Sequence, residues 1–379
     1  MDFSLTEEQL TLQKRVGDFV DKELKPIAPQ LDAEARYSPE IIRKMADMGI
    51  LGVGISEEYG GSKGGAVGSV IVGEELARGC AGTSTIVLAS TSLTCYPIDR
   101  FGTDEQRRRF VVPLARGEKL GAFALTESEA GSDAGATATT ATKRNGNYVL
   151  NGTKTFITNA LVAGTILVFA TIDKSLGHRG ITAFIVEKDA PGFSAGREEH
   201  KLGIRASYTS EVTLDNCVVP EENRLGEEGR GLRVAMEAID SSRISVAAQA
   251  VGIARAALET SVEYYKGRQQ SGKPIANSQA TERALADMAT SIDAARLLTY
   301  RAAYLKEEGQ PFLKEAAMSK VFAAETARAV ATKAMEIYGR YGYIKGYPAE
   351  RHLRDAKITE IYEGTSEMQR MTIYRVLLR

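Results

Sequence analysis

Apolar residues recur at helical spacing from Thr6 to about Gly117, as in Leu12, Val16, Phe19, Val20 and Leu24. That period predicts amphipathic helices, with breaks at Pro26 and Pro29. Thr6-x-x-Gln9 reads as a capping box at the first helix start. Ser38-Pro39 opens another helix and Gly49 ends it, the expected cap, proline and glycine chemistry. Near Leu120 the period changes. Ile166-Leu167-Val168-Phe169-Ala170 and Ile181-Thr182-Ala183-Phe184-Ile185-Val186 are short, branched, apolar and glycine-bounded, which predicts buried strands. Tyr148-Val149-Leu150 and Val212-Thr213-Leu214 are weaker strands of the same block. Strands without helices between them predict an antiparallel sheet or barrel of about a hundred residues, ending near Pro220. After Gly231 the helical period returns, over 231–266, 280–307 and 314–338, with glycine and proline between the segments. Alanine is dense there, at Ala247, Ala248, Ala250, Ala254, Ala256 and Ala257, as in helices buried on several sides. The fold class is therefore α+β: a helical region over 1–119, a β domain over 120–225 and a helical bundle with an oligomer face over 226–379.

Composition narrows the function classes. A chain of 379 residues exceeds one ordinary core, and 43% hydrophobic with 26% charged residues is that of a soluble globular protein. A net charge of -1 gives no global attraction to nucleic acid or to acidic membranes. The three cysteines, Cys80, Cys95 and Cys217, form no CxxC pair and favour neither a disulfide framework nor zinc. The N-terminal residues run directly into the capping box, without a charged-then-apolar leader, and no apolar run approaches membrane-spanning length; a cytoplasmic protein is expected. Asn151-Gly152-Thr153 matches a glycosylation sequon that such a location leaves unused. Phosphate-loop, HExxH and GxSxG motifs are absent, and His178, His200 and His352 are scattered. Gly52-Val53-Gly54 fails as a dinucleotide fingerprint because Glu57 stands where the third glycine would pack.

Three segments carry candidate chemistry. Ala124-Leu125-Thr126-Glu127-x-x-Ala130-Gly131-Ser132-Asp133-x-x-Ala136 is rich in hydroxyls and small residues. It suits a polar ligand, or equally a capped turn entering the sheet. Thr155-Phe156-Ile157-Thr158-Asn159 sets an aromatic face beside hydroxyls, as a flat heterocycle requires or as a plain core strand has. The stretch from Arg351 to Thr365 ends one helix and precedes another, which Ser366-x-x-Gln369 is expected to cap. Glu363 then lies in a short loop beside Gly364, which frees the backbone to turn; taken singly it is a solvated loop acid, and in company a poised base.

In this order, and in an α-β-α chain, these segments closely resemble the acyl-CoA dehydrogenase family. Its two signature stretches correspond to Ala124–Ala136 and the Gly339–Asp355 region, followed by the catalytic loop Tyr362-Glu363-Gly364-Thr365. The resemblance covers nearly the whole chain. It implies a barrel-like middle domain, a C-terminal four-helix bundle and an FAD enzyme that converts an acyl-CoA to its 2-enoyl-CoA. Glu363 would remove the α-proton, its own backbone N–H would polarise the thioester carbonyl, and hydride would pass to the flavin. Leu125, Thr126, Phe156 and Thr158 would contact the isoalloxazine, with Phe156 standing where most relatives have tryptophan. Ser132, Asp240 and Arg243 would hold the CoA side, Tyr362 and Gly364 would line the acyl site, and Tyr96 within Ser90–Tyr96 would floor it. Thr365 would join the cofactor contacts. Arg268, Gln279 and Arg340 would meet the FAD of a neighbouring subunit in a homotetramer, with an electron-transferring flavoprotein as partner. Ser271, Ser278, Arg340 and Gly346 depart from the family pattern on the adenosine side. Ser271, Ser278 and Arg340 keep open a flavin-poor structural subunit of a hetero-oligomer, as an oxygen-using oxidase of the same fold is also open. Acyl length is not read from the residues.

Overall fold

The computed structural model describes residues 4–267, 269–270, 273–274 and 279–378. The capping box forms as the sequence predicts: Gln9 N–H donates to Thr6 Oγ1, and the Thr6 N–H donates to the Gln9 side chain. It opens α1 (Glu7–Phe19), which buries Leu12, Val16 and Phe19. A π-helical turn over Val20–Leu24 continues it, so Val20 and Leu24 stay in the core and the break falls at Pro26, in the turn over residues 25–27. Pro29 sits in the first turn of α2 (Ala28–Glu34), and Ser38 caps α3 (Pro39–Asp47). Then follow α4 (Gly65–Gly79), α5 (Ala81–Ser90), a π-helical turn Thr91–Cys95, α6 (Tyr96–Phe101), and the short α7 (Asp104–Gln106) and α8 (Val112–Ala115).

Eight strands form the middle sheet: β1 (Gly121–Ala124), β2 (Thr140–Arg144), β3 (Asn147–Thr158), β4 (Thr165–Thr171), β5 (Ile181–Glu187), β6 (Phe193–Glu198), β7 (Thr209–Pro220) and β8 (Arg224–Leu225). Their path is β6-β7-β3-β2-β4-β5-β8, with β1 beside β4. The sheet is mixed rather than wholly antiparallel, because β1 and β2 both run parallel to β4. Both faces of β4 are covered. Leu167 and Phe169 face a core shared with Ile98, Phe110 and Val234, while Ile166, Val168 and Ala170 face one shared with Leu150, Val212 and Leu214. Double coverage is why β4 is a continuous apolar run instead of an alternating one.

Three long helices follow: α9 (Gly231–Gly267), α10 (Gln279–Glu307) and α11 (Leu313–Tyr338); then come α12 (Pro348–Ile358) and α13 (Ser366–Leu377). The alanines of α9 are buried, so its backbone lies close to helices on two sides. Buried carboxylates on α4 fasten the ends together: Glu74 pairs with Arg255 at 3.2 Å and Arg296 at 2.9 Å, and Glu75 with Arg255 at 2.5 Å. Among the described residues no helix is long and apolar enough to cross a membrane, and no group of His, Cys, Asp and Glu is placed to hold a metal ion.

Candidate active site

The loop between α12 and α13 adopts a conformation its sequence makes expensive. Glu363 has φ +53° and Gly364 φ +89°, both left-handed. Glycine is favoured at 364 by this backbone conformation, which other residues rarely adopt. Glu363 has no such exemption, and a non-glycine residue in this region is held only where its surroundings over-determine it. They do so here. Lys320 Nζ donates to the Gly364 carbonyl at 2.7 Å, and Gln369 Nε2 donates to the carbonyls of Gly364 at 2.7 Å and Glu363 at 3.1 Å. The cap of α13 differs from expectation: Thr365, not Ser366, is the N-cap, its Oγ1 accepting from Met368 N–H at 3.4 Å. Gln369 is therefore free to turn inward as a brace for the loop.

Tyr362 and Glu363 point into the interior from this loop. The Tyr362 hydroxyl donates to Gln249 Oε1, and Gln249 Nε2 donates to the Ala81 carbonyl at 3.0 Å and to Thr85 Oγ1 at 2.7 Å. Burial pushes the Glu363 carboxyl up to about 7, against the lowering effect of Lys320 and then Arg243. Arg243 is itself buried and contacts Asp240 at 2.8 Å. Burial pulls Arg243 below its usual value, while Asp240 and Glu363 oppose that shift. Two cations thus face one half-buried carboxylate.

The β domain supplies the opposite wall. Tyr362 packs with Phe123 of β1, Leu88, Leu93 and Val246. Two residues beyond Phe123, Leu125 and Thr126 are tied to β3: Thr155 N–H donates to the Thr126 carbonyl at 2.8 Å, and Lys154 Nζ to the Leu125 carbonyl at 3.0 Å. This joins the first two candidate segments. The tie depends on Glu127, whose carboxylate accepts from Lys154 Nζ at 2.6 Å, Thr139 Oγ1 at 2.6 Å, and the N–H groups of Ala138 at 2.7 Å and Thr139 at 3.0 Å. Burial works to raise Glu127, but the charge and hydrogen bond of Lys154 hold it below the usual carboxylate range.

A register shift between Lys154 and Ile157, opposite β7, inserts a bulge at Thr155-Phe156. Bulges redirect side chains. Phe156 takes φ +59° and stands 65% exposed, the reverse of a plain core strand. Thr158, just beyond the bulge, is half-buried and pairs with Thr209. Ser132 is exposed beyond the Glu127 turn.

Other expected contacts lie elsewhere. Tyr96 lines a small cleft with Thr91, Ser92, Ser241, Ser245 and Lys306, a lining that includes neither Tyr362 nor Glu363. Lys306 Nζ stands 4.1 Å over the Tyr96 ring. Arg340 is exposed, its Nη2 donating to the Tyr341 hydroxyl at 3.2 Å. Gln279 is exposed at the start of α10. Arg268, Ser271 and Ser278 lie outside the described residues. Of the residues that brace the Glu363 loop and the turn beside it, Lys320, Gln249 and Lys154 had no role in the sequence reading, Gln369 entered it only as a capping partner, and Glu127 only as a member of the hydroxyl-rich segment. Only a lysine set among buried alanines of α11 was there as a signal.

Three family matches tile the chain: the acyl-CoA dehydrogenase N-terminal domain over residues 6–118, the middle domain over 122–217 and the C-terminal domain over 229–378. The chain belongs to the acyl-CoA dehydrogenase family. A short-chain specific acyl-CoA dehydrogenase of Clostridium acetobutylicum is 47% identical over 379 residues, covering all of both chains. The structure of butyryl-CoA dehydrogenase from Megasphaera elsdenii superimposes with a TM-score of 0.98 at 48% identity over all of both chains. A chain from a study of the electron transferring flavoprotein of Acidaminococcus fermentans and flavin-based electron bifurcation does so equally, at 0.98 and 47%, again over all of both chains.

Acyl-CoA dehydrogenases are flavin oxidoreductases, and the residues here fit that group. Thr155 Oγ1, Ser366 Oγ and Gln369 Oε1 are buried polar atoms without hydrogen-bond partners among the described residues. Such atoms call for a ligand or water. They lie on the two walls just described, with an exposed aromatic face beside the first.

Proposed function

We propose that this acyl-CoA dehydrogenase uses FAD to oxidise a short acyl-CoA thioester to the 2-enoyl-CoA and delivers the electrons to an electron-transferring flavoprotein. The observation that carries this reading is Glu363: a carboxylate raised to about 7 by burial, held in a left-handed turn, and facing Arg243 and Lys320. A base with proton affinity near the working pH is the one best matched to removing a weakly acidic α-proton. Among the described residues the Glu363 N–H has no hydrogen-bond partner, so it is available to the thioester carbonyl, where negative charge develops as the proton leaves. When bound, the flavin supplies the acceptor for the β-hydrogen and its electron pair. Leu125, Thr126, Phe156 and Thr158 would hold its ring, and Asp240, Arg243 and Ser132 the CoA arm. Gly364, beside the base, would let the thioester approach the loop, and Thr365 would contact the cofactor.

The preference for short chains would rest on Gln249, which is fully buried between Tyr362 and Thr85 and would block an extended acyl chain beside Tyr362. Replacing Gln249 with Ala is expected to raise kcat/KM for longer-chain relative to four-carbon thioesters by about tenfold or more, the worth of one or two added methylene contacts. An unchanged ratio would count against Gln249 as the stop. The domain limits 1–119, 120–225 and 226–379, the homotetramer and a cytoplasmic location remain part of the same proposal, with Arg268, Gln279 and Arg340 reaching a neighbouring subunit's FAD.

A panel of CoA thioesters added anaerobically to the purified yellow protein tests the reaction. Flavin bleaching by a short saturated acyl-CoA is expected, and its absence across the panel would sink the reading. Because Glu363 must be ionised to accept a proton, kcat/KM should fall as pH drops through about 7. A limb near pH 4.5 would instead mark an exposed carboxylate.

A further inference from the structure

Two buried donors from different helices converge on one carbonyl of the base loop. Lys320 Nζ on α11 and Gln369 Nε2 on α13 each reach the Gly364 oxygen at 2.7 Å. Both side chains are wholly excluded from solvent, and lysine is almost never so buried without a carboxylate partner. Among the described residues Lys320 forms no ion pair within 4 Å, and the Gly364 carbonyl is the hydrogen-bond acceptor it reaches. The alanines Ala316, Ala317, Ala323 and Ala324 of the same helix are buried around it. An apolar chain of equal length would fill this space without the cost of burying a charge. The charge therefore calls for a reason other than packing. Glu363 acts on Lys320 as its strongest opposite charge, and Lys320 is in turn the first cation acting on Glu363.

We propose that Lys320 is a positioning residue for the base: its ammonium fixes the Glu363–Gly364 peptide in the left-handed turn and supplies the positive charge that faces the Glu363 carboxylate. Gln369 braces the same peptide without adding charge. The remaining groups around this pair are accounted for. Arg243, from α9, also faces Glu363 but is shared with Asp240. Glu360 is engaged by Arg328 at 2.6 Å and Lys357 at 2.7 Å, and Glu367 lies at the exposed start of α13. Tyr362 is bound to Gln249. Burial brings Lys320 down to about 8, so it remains mostly protonated at neutral pH while Glu363 titrates.

This inference rests on Glu363 being the base, and the two are separable by experiment. If no acyl-CoA bleaches the native flavin, the base assignment fails before any variant is made. Given bleaching, the pH dependence of kcat/KM is compared among the native protein and Lys320→Met, Lys320→Arg and Gln369→Leu, each scored for flavin content. Lys320→Met is expected to lower kcat at least tenfold, to leave KM within about twofold, and to move the acidic limb upward by about one pH unit. Gln369→Leu should lower kcat with the limb in place. Lys320→Arg should keep the limb because it keeps the charge. A flavin-replete Lys320→Met whose pH profile overlays the native one would overturn the proposal. Where Lys320→Met does not assemble, a displaced limb in Lys320→Arg would do the same.

Discussion

Glu363→Gln is expected to cost at least about a thousandfold in kcat while leaving flavin and ligand binding intact. The amide has nearly the shape of the carboxylate, and the turn around it is gripped through main-chain carbonyls by Lys320 and Gln369, not through the Glu363 side chain. The N–H that would polarise the thioester carbonyl also survives. What is lost is the ability to accept a proton, which no neighbour supplies: Tyr362 is a phenol pushed further up by burial, and Lys320 and Arg243 are cations. Stopped-flow reduction under argon with the best thioester measures this directly. A variant retaining more than about one per cent of the native rate would place the base elsewhere. Because the substitution also leaves two cations facing a neutral amide, anionic or enolate-like ligands should bind at least as tightly as to the native protein.

Lys154→Ala is expected to destabilise the fold by about 3–5 kcal/mol, the typical result of breaking a buried charge pair from one side. Lys154 is fully buried, and removing it leaves Glu127 ionised with only the Thr139 hydroxyl and two backbone N–H groups for support. Burial already draws Lys154 to about 8 against the attraction of Glu127, so the pair is charged at neutral pH and the loss is real there. The same change unties the Leu125 carbonyl. Flavin content of the purified protein should therefore fall together with the urea midpoint. Adding Glu127→Gln to Lys154→Ala should recover part of the stability, since it removes the orphaned charge. A single variant within about 1 kcal/mol of native would show that the pair does not hold this turn.

Much of the scaffold could be read from residues in order. The Thr6 box, the Ser38 cap with Gly49, and strands β4 and β5 follow from local chemistry and from a periodicity that neighbouring residues carry. The Glu363 loop was legible too, because Gly364 beside an acid between two helical patterns is a local statement. Where the local reading slipped, a distant partner intervened. Thr365 takes the cap in place of Ser366 because Gln369, the expected partner in a capping box, is drawn inward to the carbonyls of Glu363 and Gly364. Phe156 leaves the core because β3 bulges against β7, and register is a property of two strands, not of one.

The sequence by itself determined the order of helices and strands, the loop that presents Glu363, and the family chemistry its motifs resemble, since each of these depends on residues within a few positions of one another. Only the tertiary structure decided that Lys320 and Arg243 face that carboxylate, that a buried Gln249 binds the Tyr362 hydroxyl, and that Glu127 is a buried strut instead of a turn acid. Proton affinity and burial arise from charges and solvent exclusion summed over packed helices and strands that the chain brings together from opposite ends. No local pattern of residues encodes that sum.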